Sequence, residues 1–208
     1  MLQEILINET TLRGIADAIR TKTESTDLIK CQDMPNEVDK IITEIKEENP
    51  TETEYLSGAF INYENSSVET IRDYCFYYYD TLQTVSLTAC TTIKNYAFMG
   101  CSVLNTIDIP ACKMIGYSAF KDCINLKNIN APNCETVEFG AFEGCTNLQA
   151  IDLSKCTSIS GRGFRSCNNI SSVNLPLCIS IGSNAFESCA SLAEINLPTC
   201  RTIGSNAF

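Results

Sequence analysis

Phenylalanine recurs in this chain at a fixed interval of 22 residues: Phe76, Phe98, Phe120, Phe142, Phe164, Phe186 and Phe208. The register holds for the other apolar positions. Leu82, Leu104, Leu126, Leu148, Ile170 and Leu192 form a second column. Val85, Ile107, Ile129, Ile151, Val173 and Ile195 form a third, and Leu87, Ile109, Ala131, Leu153, Leu175 and Leu197 a fourth. Ile71, Ile93, Ile115, Val137, Ile159, Ile181 and Ile203 form a fifth. The hexapeptide IGSNAF occurs identically at Ile181–Phe186 and Ile203–Phe208. A unit this short has no core of its own, so units must stack and each column becomes a ladder.

The unit reads L-x-x-I-x-L-P-x-C-x-x-I-G-x-x-A-F-x-x-C-x-x. Alternation in I-x-L predicts a strand of about four residues. Pro110, Pro132, Pro176 and Pro198 terminate it, because Pro has no N–H for a ladder bond. The G-x-x-A-F-x-x-C part has helix-like spacing and is expected to form a tight turn or one helical turn. Seven strands at ~4.8 Å make a rod of roughly 30 Å.

This pattern resembles the leucine-rich repeats of the BspA-like type, carried by Ile115-Gly116, Ala119-Phe120, Cys123 and Leu126, and again by Ile181-Gly182, Ala185-Phe186, Cys189 and Leu192. The resemblance spans about residues 66–208. Lys94, Glu138 and Ser160 replace Gly, and Gly163 replaces Ala, which bears on local turn geometry. The fold class implied is an α/β repeat, a leucine-rich-repeat solenoid of 22-residue coils with a short helical segment before it.

That segment occupies about residues 1–54, with the solenoid over 55–208. Residues 1–54 hold 13 Asp/Glu and 6 Lys/Arg, and the rest 12 and 9, so the halves differ in kind. Thr10 or Thr11 caps a helix expected to reach about Lys22, with Leu12, Ile15 and Ile19 on one face. Met34-Pro35 opens a second, striped by Val38, Ile41, Ile42 and Ile45. Residues 11–45, with "IADAIRTKT" followed by Ile29 and "MP", resemble the opening segment of tail or baseplate-associated proteins of phages and prophages of Gram-positive bacteria. Glu24 stands where that family often has Gly.

Eleven of the 13 cysteines obey the period. Cys90, Cys112, Cys134, Cys156, Cys178 and Cys200 lie eight residues before a Phe; Cys101, Cys123, Cys145, Cys167 and Cys189 lie three after one. No C-x2-C pair occurs, so a metal reading has no support. Stacked neighbours are near enough for disulfides, but parallel side chains rarely reach the required dihedral. The expectation is free, buried thiols acting as small apolar corner residues. Cys75 takes the Ala slot before Phe76, and Tyr79 takes a corner-Cys slot.

Chemistry is sparse. The chain has no His, no phosphate-loop glycine pattern, and no basic residue recurring beside either Cys column, so the expectation is no enzyme, no cofactor and no metal. A net charge of −10 argues against nucleic acid. No apolar stretch approaches a membrane span, and the start lacks the signature of a signal peptide.

The surface that repeats is the strand face. Ser86, Asp108, Asn130, Asp152, Asn174 and Asn196 are expected to point outward in one row, flanked by Thr84, Thr106, Asn128, Ala150, Ser172 and Glu194. Such a ribbon is either a solvated face or a binding face for a protein or glycan. It lacks aromatic platforms. The aromatic cluster at 73–80 offers Tyr74, Tyr77 and Tyr78 as a second candidate interface. The C-terminal coil carries no cap, so its apolar layer is expected to be covered by a second chain or by further sequence; homo-oligomers through that coil or the N-terminal helices follow. The function expected is recognition within a phage or prophage tail, located in the virion tail or in the bacterial cytoplasm before assembly. The partners would be other tail proteins, or a protein or glycan on a cell surface. The alternative is a bacterial cell-surface adhesin or host-interaction protein.

Overall fold

The structure is a computed structural model and describes residues 62–208, which form one compact unit. The two helices expected before residue 46 lie outside the described residues.

Every coil contributes two short strands, one to each of two parallel stacks. With strands numbered in chain order, the first stack holds β1 (Asn62–Glu64), β3 (Thr84–Ser86), β5 (Thr106–Asp108), β7 (Asn128–Asn130) and β9 (Ala150–Ile151). It continues as a separate pair, β11 (Ser172–Asn174) and β13 (Glu194–Asn196). The second stack runs unbroken through β2 (Thr70–Ile71), β4 (Thr92–Ile93), β6 (Met114–Ile115), β8 (Thr136–Val137), β10 (Ser158–Ile159), β12 (Ser180–Ile181) and β14 (Thr202–Ile203). Register follows the 22-residue period: Val85 pairs Ile107, Ile107 pairs Ile129, and Ile93 pairs Ile115. This is a parallel β-solenoid. Among the described residues there is no helix, so of the two conformations expected for G-x-x-A-F-x-x-C the turn is the one adopted.

The turn segment forms a third ladder without strand geometry. The N–H groups of Tyr96, Phe98 and Gly100 donate to the carbonyls of Tyr117, Ala119 and Lys121 in the next coil, at 2.8, 2.7 and 2.8 Å. The alternate donors, Met99 and Cys101, fold back onto Tyr96 and Phe98 of their own coil, at 3.2 and 3.1 Å. Two residues per turn are left-handed, Tyr96 (φ 57°) and Gly100 (φ 74°) here, Ser118 (φ 49°) and Asp122 (φ 59°) in the next coil. For a non-glycine residue that conformation costs about 1–2 kcal/mol. It persists because turning the backbone this way lets successive N–H groups serve neighbouring coils alternately, leaving few buried donors unpaired.

Gly100 has two reasons to be glycine. Its φ is +74°, and a Cβ there would stand 2.5–2.8 Å from the Tyr78 ring. Gly100→Ala is expected to destabilise the chain by about 1–2 kcal/mol and lower Tm by a few degrees, with a change in near-ultraviolet circular dichroism as the Tyr78 ring moves. Gly116 differs: its φ is ordinary, but a Cβ would lie 2.8 Å from the Lys94 carbonyl carbon, so close approach of coils selects it.

The Phe column is the spine of the interior. Consecutive rings from Phe76 to Phe186 stack nearly parallel with centroids 5.0–5.3 Å apart. Cysteines line the corners as free thiols. Cys123 donates its S–H to the Phe98 carbonyl at 3.0 Å, an oxygen that also accepts the Cys101 N–H at 3.1 Å. Cys145 and Cys167 repeat that contact on Phe120 and Phe142. In the other column Cys112 reaches the Met114 carbonyl at 3.3 Å. Cysteine fits because it is small, apolar and still a weak donor to a carbonyl lone pair. Cys75 and Tyr79 are buried in the slots expected for them.

Candidate functional site

The strand face is built by alternation. Within β5, Ile107 points into the core while Thr106 and Asp108 face out; β7 repeats this with Asn128, Ile129 and Asn130. Pairing sets Ser86 beside Asp108, Asp108 beside Asn130, and Asn174 beside Asn196. Thr84, Thr106 and Asn128 form the adjacent row, as do Ser172 and Glu194. Side chains are coupled along the row. Asn130 Nδ2 donates to Asp108 Oδ1 at 2.6 Å, and Asn196 Nδ2 to Asn174 Oδ1 at 2.9 Å.

Asp152 breaks the row. β9 ends at Ile151, and the Asp152 carboxylate turns to accept the Ser154 N–H at 2.9 Å. The stack divides at this point, with β11 pairing β13 and not β9. Ser154 occupies the position that Pro110, Pro132 and Pro176 hold in other coils, so an N–H stands where they have none, and the exposed carboxylate accepts it. The expected continuous row is therefore two rows, with Asp108 engaged by Asn130 and Asp152 by its own loop.

On the turn segment lies a second surface, which the sequence reading sampled in part. Tyr74, Tyr77 and Tyr78 are 47%, 36% and 49% exposed. The structure extends them into a ridge. Tyr74 stacks on Tyr96 (centroids 4.9 Å, 12°), Tyr96 tilts against Tyr117 (5.2 Å, 57°), and Tyr117 stacks on Phe139 (5.4 Å, 14°). The Arg162 guanidinium closes the ridge, 5.6 Å from the Phe139 centroid. Tyr77 sets its edge to Tyr74 and to Tyr78. Desolvation pushes the Tyr96 phenol above its ordinary range, reinforced by Tyr117 and Tyr74. The aromatic run at 73–80 does not by itself single out Tyr96, Tyr117, Phe139 and Arg162. The available signal was the pairs Tyr74/Tyr96 and Tyr117/Phe139, each one period apart.

Beside the ridge runs an ion ladder: Lys121 to Glu143 at 3.2 Å, Glu143 to Arg165 at 3.3 Å, and Arg165 to Glu187 at 2.8 Å. Each link joins consecutive coils, which makes the ladder a staple of the stack. Among the described residues no cluster of His, Cys, Asp or Glu is placed to hold a metal, and no helix is long and apolar enough to cross a membrane. Burial pushes the Cys112 and Cys156 thiols up to about 12, so these two are protonated and poorly nucleophilic at neutral pH.

Two parallel strands per coil, a 22-residue rise and a ladder of Phe define a solenoid of the leucine-rich-repeat kind. The BspA type leucine rich repeat region matches residues 35–137 and 91–208 in six copies, and the chain belongs to that family. No curated protein matches it. Among solved structures it is similar to a leucine-rich repeat protein from Eubacterium ventriosum ATCC 27560, with 31% identity and a TM-score of 0.64 over 71% of this chain and 42% of that one. A leucine rich cell surface protein from Faecalibacterium prausnitzii A2-165 shows 24% identity and a TM-score of 0.53 over 73% and 40%. A leucine-rich repeat protein from Bacteroides ovatus ATCC 8483 shows 19% and 0.50 over 69% and 47%. The chain thus spans less than half the length of each of these structures.

Proposed function

We propose that this chain is a non-enzymatic recognition module whose first strand stack presents a polar binding face to a partner protein or glycan. The observation that carries this reading is the register of β3, β5 and β7, which sets Ser86, Asp108 and Asn130 side by side on a rigid support. A preordered row loses little side-chain entropy when a partner binds. Membership in the BspA-type family supports a binding role over a catalytic one.

The setting proposed is a phage or prophage tail, supported by the resemblance of residues 11–45 to tail and baseplate-associated proteins. The protein would then reside in the virion tail, or in the bacterial cytoplasm before assembly. A cell-surface role, in adhesion or host interaction, is the second reading; the similar Faecalibacterium protein is described as a cell surface protein. Antibody labelling separates the two, since the tail reading requires label on induced phage particles and the adhesin reading requires it on intact cells.

The binding face is tested with Asp108→Ala and Asn130→Ala together. Both side chains lie on the outer side of the strands, so stability should change by less than ~1 kcal/mol. Capture of the partner from host surface extracts should fall roughly tenfold or more. Undiminished capture would remove the strand face from consideration.

A further inference from the structure

We propose that the aromatic ridge from Tyr78 to Phe139 is a second binding site, and that its ligand is a neutral, extended glycan of equatorially substituted sugars such as β-linked glucose or N-acetylglucosamine. The proposal rests on the recognition-module reading but does not use the strand face.

The first argument is size. Tyr74, Tyr77, Tyr78 and Tyr117 are 47%, 36%, 49% and 40% exposed. From the area of an aromatic side chain they present roughly 300–400 Å² of ring surface. A patch of that size on a monomer is often functional. It is less than half of the ~800 Å² that each partner contributes to a stable protein interface. The ridge is also narrow, because each coil adds one or two rings along the stacking direction. A chain-like ligand fits those dimensions better than a globular one.

The second argument is the backbone. An extended peptide bound by strand addition requires unpaired N–H and C=O groups. Here the Tyr74, Tyr78 and Tyr96 N–H groups donate to Asn95, Met99 and Tyr117 carbonyls of the next coil, at 3.1, 2.7 and 2.8 Å. The Tyr117 N–H is taken by Asn95 Oδ1 at 3.0 Å. The ridge has no strand edge to offer. Polyproline peptides dock in aromatic-lined grooves, whereas these rings project from the outer side of a turn.

The third argument is charge. Arg162 is the cation placed against the ridge, over Phe139, and the whole chain carries −10. A polyanion gains nothing there. A sugar ring with equatorial hydroxyls has apolar C–H faces and a polar rim. Tyrosine mirrors that arrangement with an apolar body and a hydroxyl tip. The Tyr78 ring lies across Gly100, held by the absence of a side chain beneath it. Rings fixed by stacking at 4.9 and 5.4 Å lose little freedom on binding.

The test uses the full chain with cellohexaose and chitohexaose as probes, followed by tyrosine emission. The chain has no Trp, and five of its 8 tyrosines (Tyr74, Tyr77, Tyr78, Tyr96, Tyr117) belong to the ridge. Saturable binding is expected at or below about 1 mM for at least one probe. Tyr74→Ala, Tyr78→Ala and Tyr117→Ala combined should weaken it by at least roughly tenfold. Tyr78→Phe with Tyr117→Phe keeps the rings and should keep the binding, which holds the test open if the alanine variant fails to fold. Leu177→Ala, an exposed aliphatic elsewhere in the repeat, should leave binding unchanged. Sugar binding that survives the alanine variant overturns the proposal. So does loss of binding in the Phe variant, or saturation by a proline-rich peptide where sugars fail. Absence of sugar binding while the strand face still captures a partner overturns this proposal alone; absence of binding at either surface overturns the recognition reading with it.

Discussion

Phe120→Ala is expected to cost about 3–5 kcal/mol, the range for truncating a fully buried Phe. The Phe120 ring has no exposed surface and lies between Phe98 and Phe142, at 5.1 and 5.3 Å, within 4° and 3° of parallel. Its carbonyl accepts both the Cys123 N–H and the Cys145 S–H, so a shifted backbone disturbs two further contacts. Whole domains are stable by only about 5–15 kcal/mol in general, so this one change would consume roughly a fifth or more of the total. In a stack held by nearest-neighbour interfaces, damage at a central coil weakens its coupling to both sides. Phe208→Ala is the control. That ring is 54% exposed and stacks on Phe186 at 5.7 Å. Its loss should cost less than about 1.5 kcal/mol. Urea unfolding of the two variants checks this: similar midpoints would show that the ring ladder is not what holds the coils together.

Alkaline pH is expected to unfold the repeat over a narrow interval. Seven consecutive ladder thiols, Cys101, Cys112, Cys123, Cys134, Cys145, Cys156 and Cys167, are raised above the ordinary thiol value of 9.0, with burial the first cause in each. The folded chain therefore holds these protons more tightly than the unfolded chain. The resulting stability is fully present below pH 9 and is lost as pH rises through the folded values, with Cys112 and Cys156 at about 12. Each thiol ionised only in the unfolded chain removes about 1.4 kcal/mol per pH unit, so seven together approach roughly 10 kcal/mol per unit. Melting followed by circular dichroism between pH 7 and 11 should show a steep loss beginning near pH 9, with thiolate absorbance appearing in the same transition. A gradual loss, or thiolate absorbance before unfolding, would contradict the buried-thiol ladder. Thiol reagents at neutral pH should accordingly leave these seven cysteines unmodified until the chain is denatured.

Much of the fold was legible because its columns obey one period. The Phe, Leu, Ile and Cys columns announce which side chains share a layer, and the alternation around Ile107 and Ile129 announces which neighbours face out. The turn segment was harder to read. Its left-handed positions hold Gly100, Gly140 and Gly144, but also Tyr74, Tyr96, Ser118 and Arg162, which do not signal positive φ as glycine does. The glycine that does repeat, at 116, 182 and 204, marks close approach of coils. The break at Asp152 turned on one local substitution, Ser154 for proline, whose N–H competes for the carboxylate.

The candidate sites divide along the same line. The strand row was visible because its members share columns, whereas the ridge joins two different columns at the step from Tyr96 to Tyr117, 21 residues apart. Periodicity alone determined that this chain must coil, which residues stack, and that its thiols line the corners, since a fixed repeat with an apolar edge has no other way to leave water. Tertiary structure decided which side chains of neighbouring columns touch. That depends on the stagger of one coil over the next and on the handedness of each turn, quantities set by the inter-coil hydrogen bonds and not by the order of residues along any single coil.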